Sequence, residues 1–242
     1  MRESGLFLSV LFCSILIATL VYMPSGRAEA GEVFINSADD TYVDYDASNQ
    51  NFGNLTEILV WSGGASEIVT WLKFGLSGVP SDIIVDAATL QLWATSAPSG
   101  LAPLINIHSC SGISWTEMTL TYSNMLDYNS SSMDSEQVSA ISASYNWEVV
   151  EAVRKGVSDR ASAITFVLDT NNVTWGDETW APTRFASKEN EIHIPRLIVH
   201  WSQSVPEYQL DIVLFALPIV SVAIRLATRT RTSTRAGELN NS

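Results

Sequence analysis

Short runs of alternating apolar and polar positions recur along the chain between residues 33 and 201. They follow one another at roughly 8–12-residue intervals, separated by clusters of Gly, Pro, Asn, Asp and Ser, which is typical of antiparallel β proteins. Strand patterns do not alternate with helix patterns in the way that builds a parallel sheet. We therefore predict an all-β domain, an antiparallel β-sandwich of jelly-roll-like architecture.

The clearest strand patterns lie at residues 68–74 and 87–94. Because strand side chains alternate between two faces, one face of each strand is apolar: Leu72, Phe74 and Leu76 in the first, and Ala88, Leu90, Leu92 and Ala94 in the second. The connection between them holds the turn-forming residues Ser77-Gly78, Pro80 and Asp82. We expect the two strands to form a hairpin-like unit at the centre of the sandwich.

Residues 145–157 depart from the strand pattern. Trp147, Val150, Val153 and Val157 recur at helical spacing, with charged residues between them. The pattern predicts either a short helix or a strand that runs into one helical turn.

The N-terminal residues 1–30 have the organisation of a secretory signal peptide. Arg2 precedes an almost wholly apolar run from Leu6 to Met23, and Ala28-Glu29-Ala30 supplies the small residues of a cleavage site. We expect cleavage after Ala30. The apolar run is long for a signal peptide, so an uncleaved membrane anchor is the alternative.

Residues 205–242 form a separate C-terminal segment. The apolar stretch from Leu210 to Leu226 runs into clustered arginines, as in a transmembrane helix with a basic cytoplasmic tail. The stretch is short for a span, and Pro206-Glu207-Tyr208 before it resembles the start of archaeal Pro-Glu-Phe-type sorting segments, so a cleaved sorting helix is the alternative. Both interpretations place residues 31–204 outside the cell, anchored to the membrane or envelope through the C-terminus.

The charge and cysteine content narrow the classes of function. The formal net charge is −13, so the surface repels phosphate backbones and we expect no nucleic-acid partner. Cys110 is the only cysteine between residues 31 and 204, which excludes a disulfide within this domain, and we expect it to pack as a small apolar side chain. Glycosylation sequons occur at Asn54, Asn129 and Asn172.

An ordered set of short motifs carries a family resemblance over residues 33–201. The motifs are Ala38-Asp39-Asp40-Thr41-Tyr42-Val43, Asn51-Phe52-Gly53, Trp71-Leu72-Lys73-Phe74, Val79-Pro80, Ile84 to Leu90, Trp115-Thr116-Glu117, Trp147-Glu148-Val149, Phe185 to Glu189 and Pro195-Arg196-Leu197. In this order they resemble the DNRLRE (disaggregatase-related) domain, also classed as carbohydrate-binding module family 96. Lys73 and Gly75 stand where that family often has Arg and Asp. The resemblance implies a β-sandwich on the surface of archaeal or bacterial cells that binds polysaccharide rather than cleaving it.

Four carboxylates near the start of the domain are candidate calcium ligands. Asp39, Asp40, Asp44 and Asp46 lie within eight residues, and calcium takes six to eight oxygen ligands from acidic side chains and loop carbonyls. We predict a structural calcium here. The alternative is an acidic, solvated loop and strand edge without metal.

Aromatic residues are the candidate glycan ligands. Sugar rings stack their C–H faces on exposed indoles while amides and carboxylates bind the hydroxyls. Trp175 and Trp180 flank a loop that contains Asp177, and we predict that these three residues and Trp61 bind a sugar chain. Trp93 belongs to the same aromatic group. The four remaining tryptophans, Trp71, Trp115, Trp147 and Trp201, are expected in the core.

No sequence motif of a known catalytic site is present, and His108, His193 and His200 are the only histidines. We therefore predict a non-catalytic, cell-surface carbohydrate-binding module, tethered to the membrane. The alternative is a structural cell-envelope or adhesion protein without sugar specificity.

Overall fold

The computed structural model describes residues 29–98, 102–170 and 181–203. Several predictions lie outside these residues: the signal peptide except its last two positions, the C-terminal segment, and Asn172, Trp175, Asp177 and Trp180. In the described part of the chain, no helix combines the length and the apolarity needed to cross a membrane.

Eleven strands, one α-helix and one 3₁₀ turn form in the described residues. They are β1 (Ala30–Asn36), β2 (Asp39–Asp44), β3 (Glu57–Gly63), β4 (Ser66–Gly75), β5 (Ile84–Ser96), β6 (Leu104–Cys110), the 3₁₀ turn (Tyr122–Asn124), β7 (Asp134–Gln137), β8 (Ala143–Glu148), α1 (Val150–Ser158), β9 (Ala163–Thr170), β10 (Thr183–Ala186) and β11 (Arg196–Ser202). The all-β prediction is therefore confirmed.

The strands pair antiparallel throughout and belong to one curled sheet of two layers. Sheet A contains β1, β11, β5, β8 and β10, and sheet B contains β2, β4, β9, β6 and β7. Strand β3 joins them, because residues 57–60 pair with β10 and residues 61–63 pair with β4. The sandwich thus arises by curling a single sheet through β3.

The main core lies between the two layers. Sheet B contributes Leu72, Phe74 and Phe166, and sheet A contributes Leu90 and Trp147, all with essentially no exposed surface. Alternating positions on both layers supply the rest, as the period-two pattern predicts. Each of these side chains contributes roughly 1.5–3 kcal/mol by its burial.

The predicted hairpin of β4 and β5 is wrong. Strand β4 pairs with β2, β3 and β9, whereas β5 pairs with β8, β10 and β11, so the two strands lie in different layers. The apolar faces were identified correctly, but they meet across the core instead of lying side by side. Val79 and Ile83 pack against the core within the connection, which therefore crosses between layers rather than closing a tight turn.

A second apolar layer covers the outside of sheet B. Residues 111–133, here called the cover segment, place Trp115 and Leu120 over Trp71 and Val167. Trp71 and Trp115 meet edge to face, with ring centroids 6.1 Å apart. Strand β4 is therefore buried on both faces, which explains why its second face also carries a tryptophan.

The irregular pattern at residues 145–157 resolves into a strand followed by a helix. Strand β8 ends at Glu148, and α1 begins two residues later. Gly156 allows the helix to approach the sheet closely, since a Cβ at this position would lie 2.8 Å from Cγ2 of Ile164. The four-residue strand β7 was missed because its sequence, Asp-Ser-Glu-Gln, contains no apolar residue.

The Asn51-Phe52-Gly53 motif holds the cover segment in place. The Asn51 amide donates hydrogen bonds to the carbonyls of Glu117 and Leu120, and its oxygen accepts from the Gly53 N–H at 3.2 Å. A Cβ on Gly53 would overlap the Glu117 carbonyl, so only glycine fits beneath the segment.

We expect Gly53→Ala to lower the free energy of unfolding by about 1–3 kcal/mol, because the cover segment must move to relieve the overlap. Urea denaturation of residues 29–203 measures the change. Gly75→Ala is the matched control, since a Cβ there meets nothing within 4 Å. Equal stability of the two variants would contradict this account of the motif.

Candidate functional site

A cluster of charges, here called the charged clamp, consists of Asp39, Asp40, Lys73, Glu117 and Lys188. The Lys73 ammonium is buried, lies 2.7 Å from Asp39 Oδ2 and donates to the Trp115 carbonyl. Lys188 Nζ lies 2.9 Å from Glu117 Oε1, and the Glu117 N–H donates to Asp39. The clamp therefore ties the cover segment both to sheet B and to the connection between β10 and β11.

Asp40 is the most deeply buried acid of the clamp, with 1% of its surface exposed. Its Oδ2 accepts hydrogen bonds from the Ser37 hydroxyl at 2.7 Å and from the Lys188 N–H at 2.9 Å, while its Oδ1 has no partner among the described residues. Burial raises the pKa of Asp40 to about 7, and the charges of Glu189 and Glu117 add to this effect.

The structure divides the four predicted calcium ligands. Asp39 and Asp40 belong to the charged clamp, on opposite faces of β2. Asp44 is the last residue of β2 and Asp46 lies just beyond it; Asp44 accepts the Asp46 N–H at 2.9 Å and Asp46 accepts the Ser66 hydroxyl at 2.6 Å. Across residues 29–98, 102–170 and 181–203, no three His, Cys, Asp or Glu side chains are arranged to hold a metal ion.

The described tryptophans divide into core and surface residues. Trp71, Trp115 and Trp147 are buried, as predicted, whereas Trp201 is only partly buried. Trp61 is partly buried and packs against a small apolar cluster of Tyr42, Leu59 and Ile68, away from the main core. Trp93 projects from the outer face of sheet A, because its neighbours Leu92 and Ala94 point into the core.

The outer face of sheet A carries a row of polar side chains that crosses four strands. Arg196 on β11 is in register with Asn36 on β1 and with Gln91 on β5. Gln91 is in turn in register with Asn146 on β8, and their amides are hydrogen-bonded at 3.1 Å. Because all four residues alternate with buried neighbours, their side chains share the solvent-facing side of the sheet.

Two aromatic groups flank this row. The Trp93 indole stacks on the His193 imidazole, with 3.9 Å between centroids and 5° between planes. Phe34 is 54% exposed, and the Arg196 guanidinium lies 5.5 Å from its ring centroid. Aromatic rings beside amide and guanidinium donors are the groups that recognise sugar rings and their hydroxyls.

A buried His–Asp pair lies elsewhere. His108 Nε2 is 3.1 Å from Asp169 Oδ1, and Nδ1 is 2.9 Å from the Asn129 carbonyl. Burial alone would lower the pKa of His108, but Asp169 and the Asn129 carbonyl raise it. Burial alone would raise the pKa of Asp169, but hydrogen bonds from His108 and Asn106 lower it. With 4% of its surface exposed, His108 is closed to a substrate and holds β6 to β9.

A groove of about 510 Å³ lies between α1 and the cover segment. Cys110, Ile113, Met133 and Ile164 form its apolar lining, with Lys155 at its rim. None of the lining residues, all of which are described, is aromatic. The groove therefore has less in common with a sugar site than the outer face of sheet A has.

The fold and this face define an all-β module with an exposed sheet surface that combines aromatic and polar side chains. The family model of carbohydrate-binding module family 96 matches residues 32–200, so the chain belongs to that family. This confirms the resemblance drawn from the short motifs and agrees with the expectation of a non-catalytic protein. No curated protein matches the chain.

Sequence reasoning found Trp93 as a member of the aromatic group but not its partners. His193 and Arg196 lie in and after the connection between β10 and β11, far from β5 in the sequence, and the fold brings them beside Trp93 and Gln91. The sequence does indicate one part of the site. The alternation within β5 places Thr89, Gln91, Trp93 and Thr95 together on the face opposite the buried one.

We expect the pH dependence of stability to reveal Asp40. Since its pKa in the folded protein lies above the ordinary value of 3.8, the folded state binds this proton more tightly than the unfolded chain. That contribution to stability is complete below about pH 4 and is lost as the pH rises through 7. As the pH rises from about 4 to 7, the free energy of unfolding of Asp40→Asn should therefore increase relative to that of the wild type, by up to about 1.4 kcal/mol per pH unit.

Urea denaturation between pH 4 and pH 8, in EDTA, measures this difference. Ser37→Ala is the companion variant. It removes a hydrogen bond that lowers the pKa of Asp40, so the pKa rises further and the decrease in stability with pH should continue to a higher pH than in the wild type. Parallel curves for the wild type and Asp40→Asn would show that Asp40 does not carry the effect.

Proposed function

We propose that this protein binds a polysaccharide chain without cleaving it, and that it does so on the outer face of sheet A. The Trp93–His193 stack beside the hydrogen-bonded Gln91–Asn146 pair is the observation that carries the proposal. Family membership supports carbohydrate as the class of ligand.

The chemistry of this face suits a sugar ring. The stacked rings of Trp93 and His193 offer an apolar platform for the C–H face of a pyranose. Gln91, Asn146 and Arg196 supply amide and guanidinium donors, and the two amides also supply acceptors for hydroxyl groups. Because these residues stand on paired strands, their positions are fixed before a ligand arrives, which lowers the entropic cost of binding.

We further propose that the module acts at the cell surface. The support is the sequence at its two ends, which has the pattern of a signal peptide before residue 31 and of an anchoring or sorting helix after residue 204. Asn54 and Asn129 lie exposed, as N-linked glycosylation in a secreted protein would require.

The predicted glycan ligands Trp61, Trp175, Asp177 and Trp180 stay a prediction for a second contact region. Trp61 follows Val60, which is in register with Thr183, so Trp61 lies near the start of β10. Substituting these residues and Trp93 in separate variants shows which of the two regions binds the polysaccharide.

We expect Trp93→Ala to weaken retention in polysaccharide-containing native gels by at least about tenfold, because the aromatic stacking anchor beside the polar row is lost. Suitable polysaccharides are hydroxyethylcellulose, xylan and polygalacturonate. Trp61→Ala and Trp175→Ala test the other predicted glycan ligands in the same gels, and melting temperatures identify any variant that merely unfolds.

Loss of retention in Trp175→Ala but not in Trp93→Ala would transfer the site to the other region. Failure of the wild type to bind any of the three polysaccharides, together with self-association, would favour a structural envelope or adhesion protein.

Structural calcium also stays a prediction. Asp39 and Asp40 are held in the charged clamp, whereas Asp46 is exposed and lies beside Asp44, so these two carboxylates are the side chains from which a bound ion would draw oxygens. Calcium at about a hundredfold excess over its Kd should stabilise the fold by about 2.7 kcal/mol.

Thermal unfolding in calcium and in EDTA measures this effect. Asp46→Asn should abolish the shift, whereas Asp134→Asn, at an acidic position on β7, should retain it. Identical melting curves in calcium and in EDTA would contradict the prediction of a structural calcium ion.

A further inference from the structure

We propose that the glycan lies diagonally across sheet A, along a track formed by Phe34, Arg196 and Trp93, and that this track selects chains of at least three sugar units. The inference rests on the proposed function and adds to it the length and direction of the bound chain. Phe34 is the new residue in this proposal. It was not predicted as a ligand from the sequence.

The strand register places the three residues on one line. Phe34 is in register with Ile198, so it is the diagonal neighbour of Arg196 on the next strand. Arg196 is in register with Gln91, so Trp93, two residues further along β5, is its diagonal neighbour on the other side. From Phe34 to Arg196, and again from Arg196 to Trp93, the line crosses to the next strand and shifts by two residues in the same direction along the sheet.

The length of the track follows from sheet geometry. Diagonal neighbours on adjacent strands lie roughly 7–8 Å apart, so Phe34 and Trp93 are separated by about 15 Å. The two aromatic groups are thus too far apart to contact a single sugar ring or two adjacent rings. A chain that stacks on both must place at least one further unit between them, over Arg196.

The centre of the track is prepared to donate hydrogen bonds. The ring of Phe34 lies against the Arg196 guanidinium and holds it over the sheet. Asn36 and Gln91 flank Arg196 in the same row, so amide groups lie on both sides of the guanidinium. A middle sugar unit would therefore meet polar donors, while the outer two units meet aromatic rings.

The track is open at its Phe34 end, because β1 pairs with β11 alone among the described strands. A chain that extends beyond Phe34 leaves the sheet without a described strand in its path. The ligand class is therefore an extended polysaccharide whose sugar rings present flat apolar faces.

The test is a length series. Oligosaccharides of two to six units, taken from whichever of hydroxyethylcellulose, xylan or polygalacturonate is retained most strongly, are titrated by calorimetry into the full-length protein. For the wild type we expect the affinity to rise about tenfold between two and four units and then to level off. Phe34→Ala should bind the longer chains only as tightly as the wild type binds the disaccharide.

Two further variants sharpen the test. Ile84→Ala is the matched control, since Ile84 is 50% exposed on β5 but lies off the track, and it should keep the full length dependence. Arg196→Lys keeps the positive charge but loses the planar guanidinium. It should weaken the binding of the longer chains severalfold more than the binding of the disaccharide. Phe34→Ala should leave the melting temperature almost unchanged, because the side chain is more than half exposed.

The outcomes separate this inference from the proposed function. If Trp93→Ala abolishes binding while Phe34→Ala keeps the wild-type length dependence, the sheet face is the site and the track is overturned. If the wild type retains none of the three polysaccharides, the proposed function and the track are overturned together.

Discussion

The buried ammonium of Lys73 is the constraint on which much of the structure depends. Lys73 lies on β4, a strand that is covered on both faces, so its ammonium must be paired, because an isolated buried charge costs several kcal/mol. Asp39 and the Trp115 carbonyl provide the pairing, and they fix the cover segment and β2 against β4. These contacts hold the second apolar layer, with Trp71 and Trp115 at its centre, against the outside of sheet B.

The same network reaches the candidate site through a short series of contacts. Glu117 in the cover segment binds Lys188, whose N–H is held by Asp40, and this fixes the start of the connection between β10 and β11. Further along that connection, the Asn190 side chain accepts the N–H of His193, which then stacks on Trp93. The charged clamp therefore supports the loop that completes the aromatic platform, although it lies away from the sheet face.

The sequence predicted the local features well and the long-range ones poorly. Alternation identified the buried faces of β4 and β5 correctly, because the period of two is a local property of each strand. Their pairing was wrong, since a turn-rich connection is equally compatible with a crossing between layers. The motif residues Asp39, Asp40, Gly53 and Glu117 carry the family resemblance, yet most of their contacts are internal, so the motifs predicted the architecture better than the ligand site.

The distribution of cations argues for the position of the site. In a chain with a net charge of −13, most described basic side chains are engaged by carboxylates: Lys73 and Lys188 in the charged clamp, Arg154 and Lys155 along α1, and Arg184 with Glu57. Among the described residues, Arg160 and Arg196 have no carboxylate partner, and Arg196 lies instead against the ring of Phe34. An aromatic ring orients a guanidinium without satisfying its hydrogen-bond donors, which leaves those donors available to a ligand. The contact with Phe34 therefore distinguishes Arg196 as the guanidinium that is oriented on the outer face of sheet A, where it can meet a ligand.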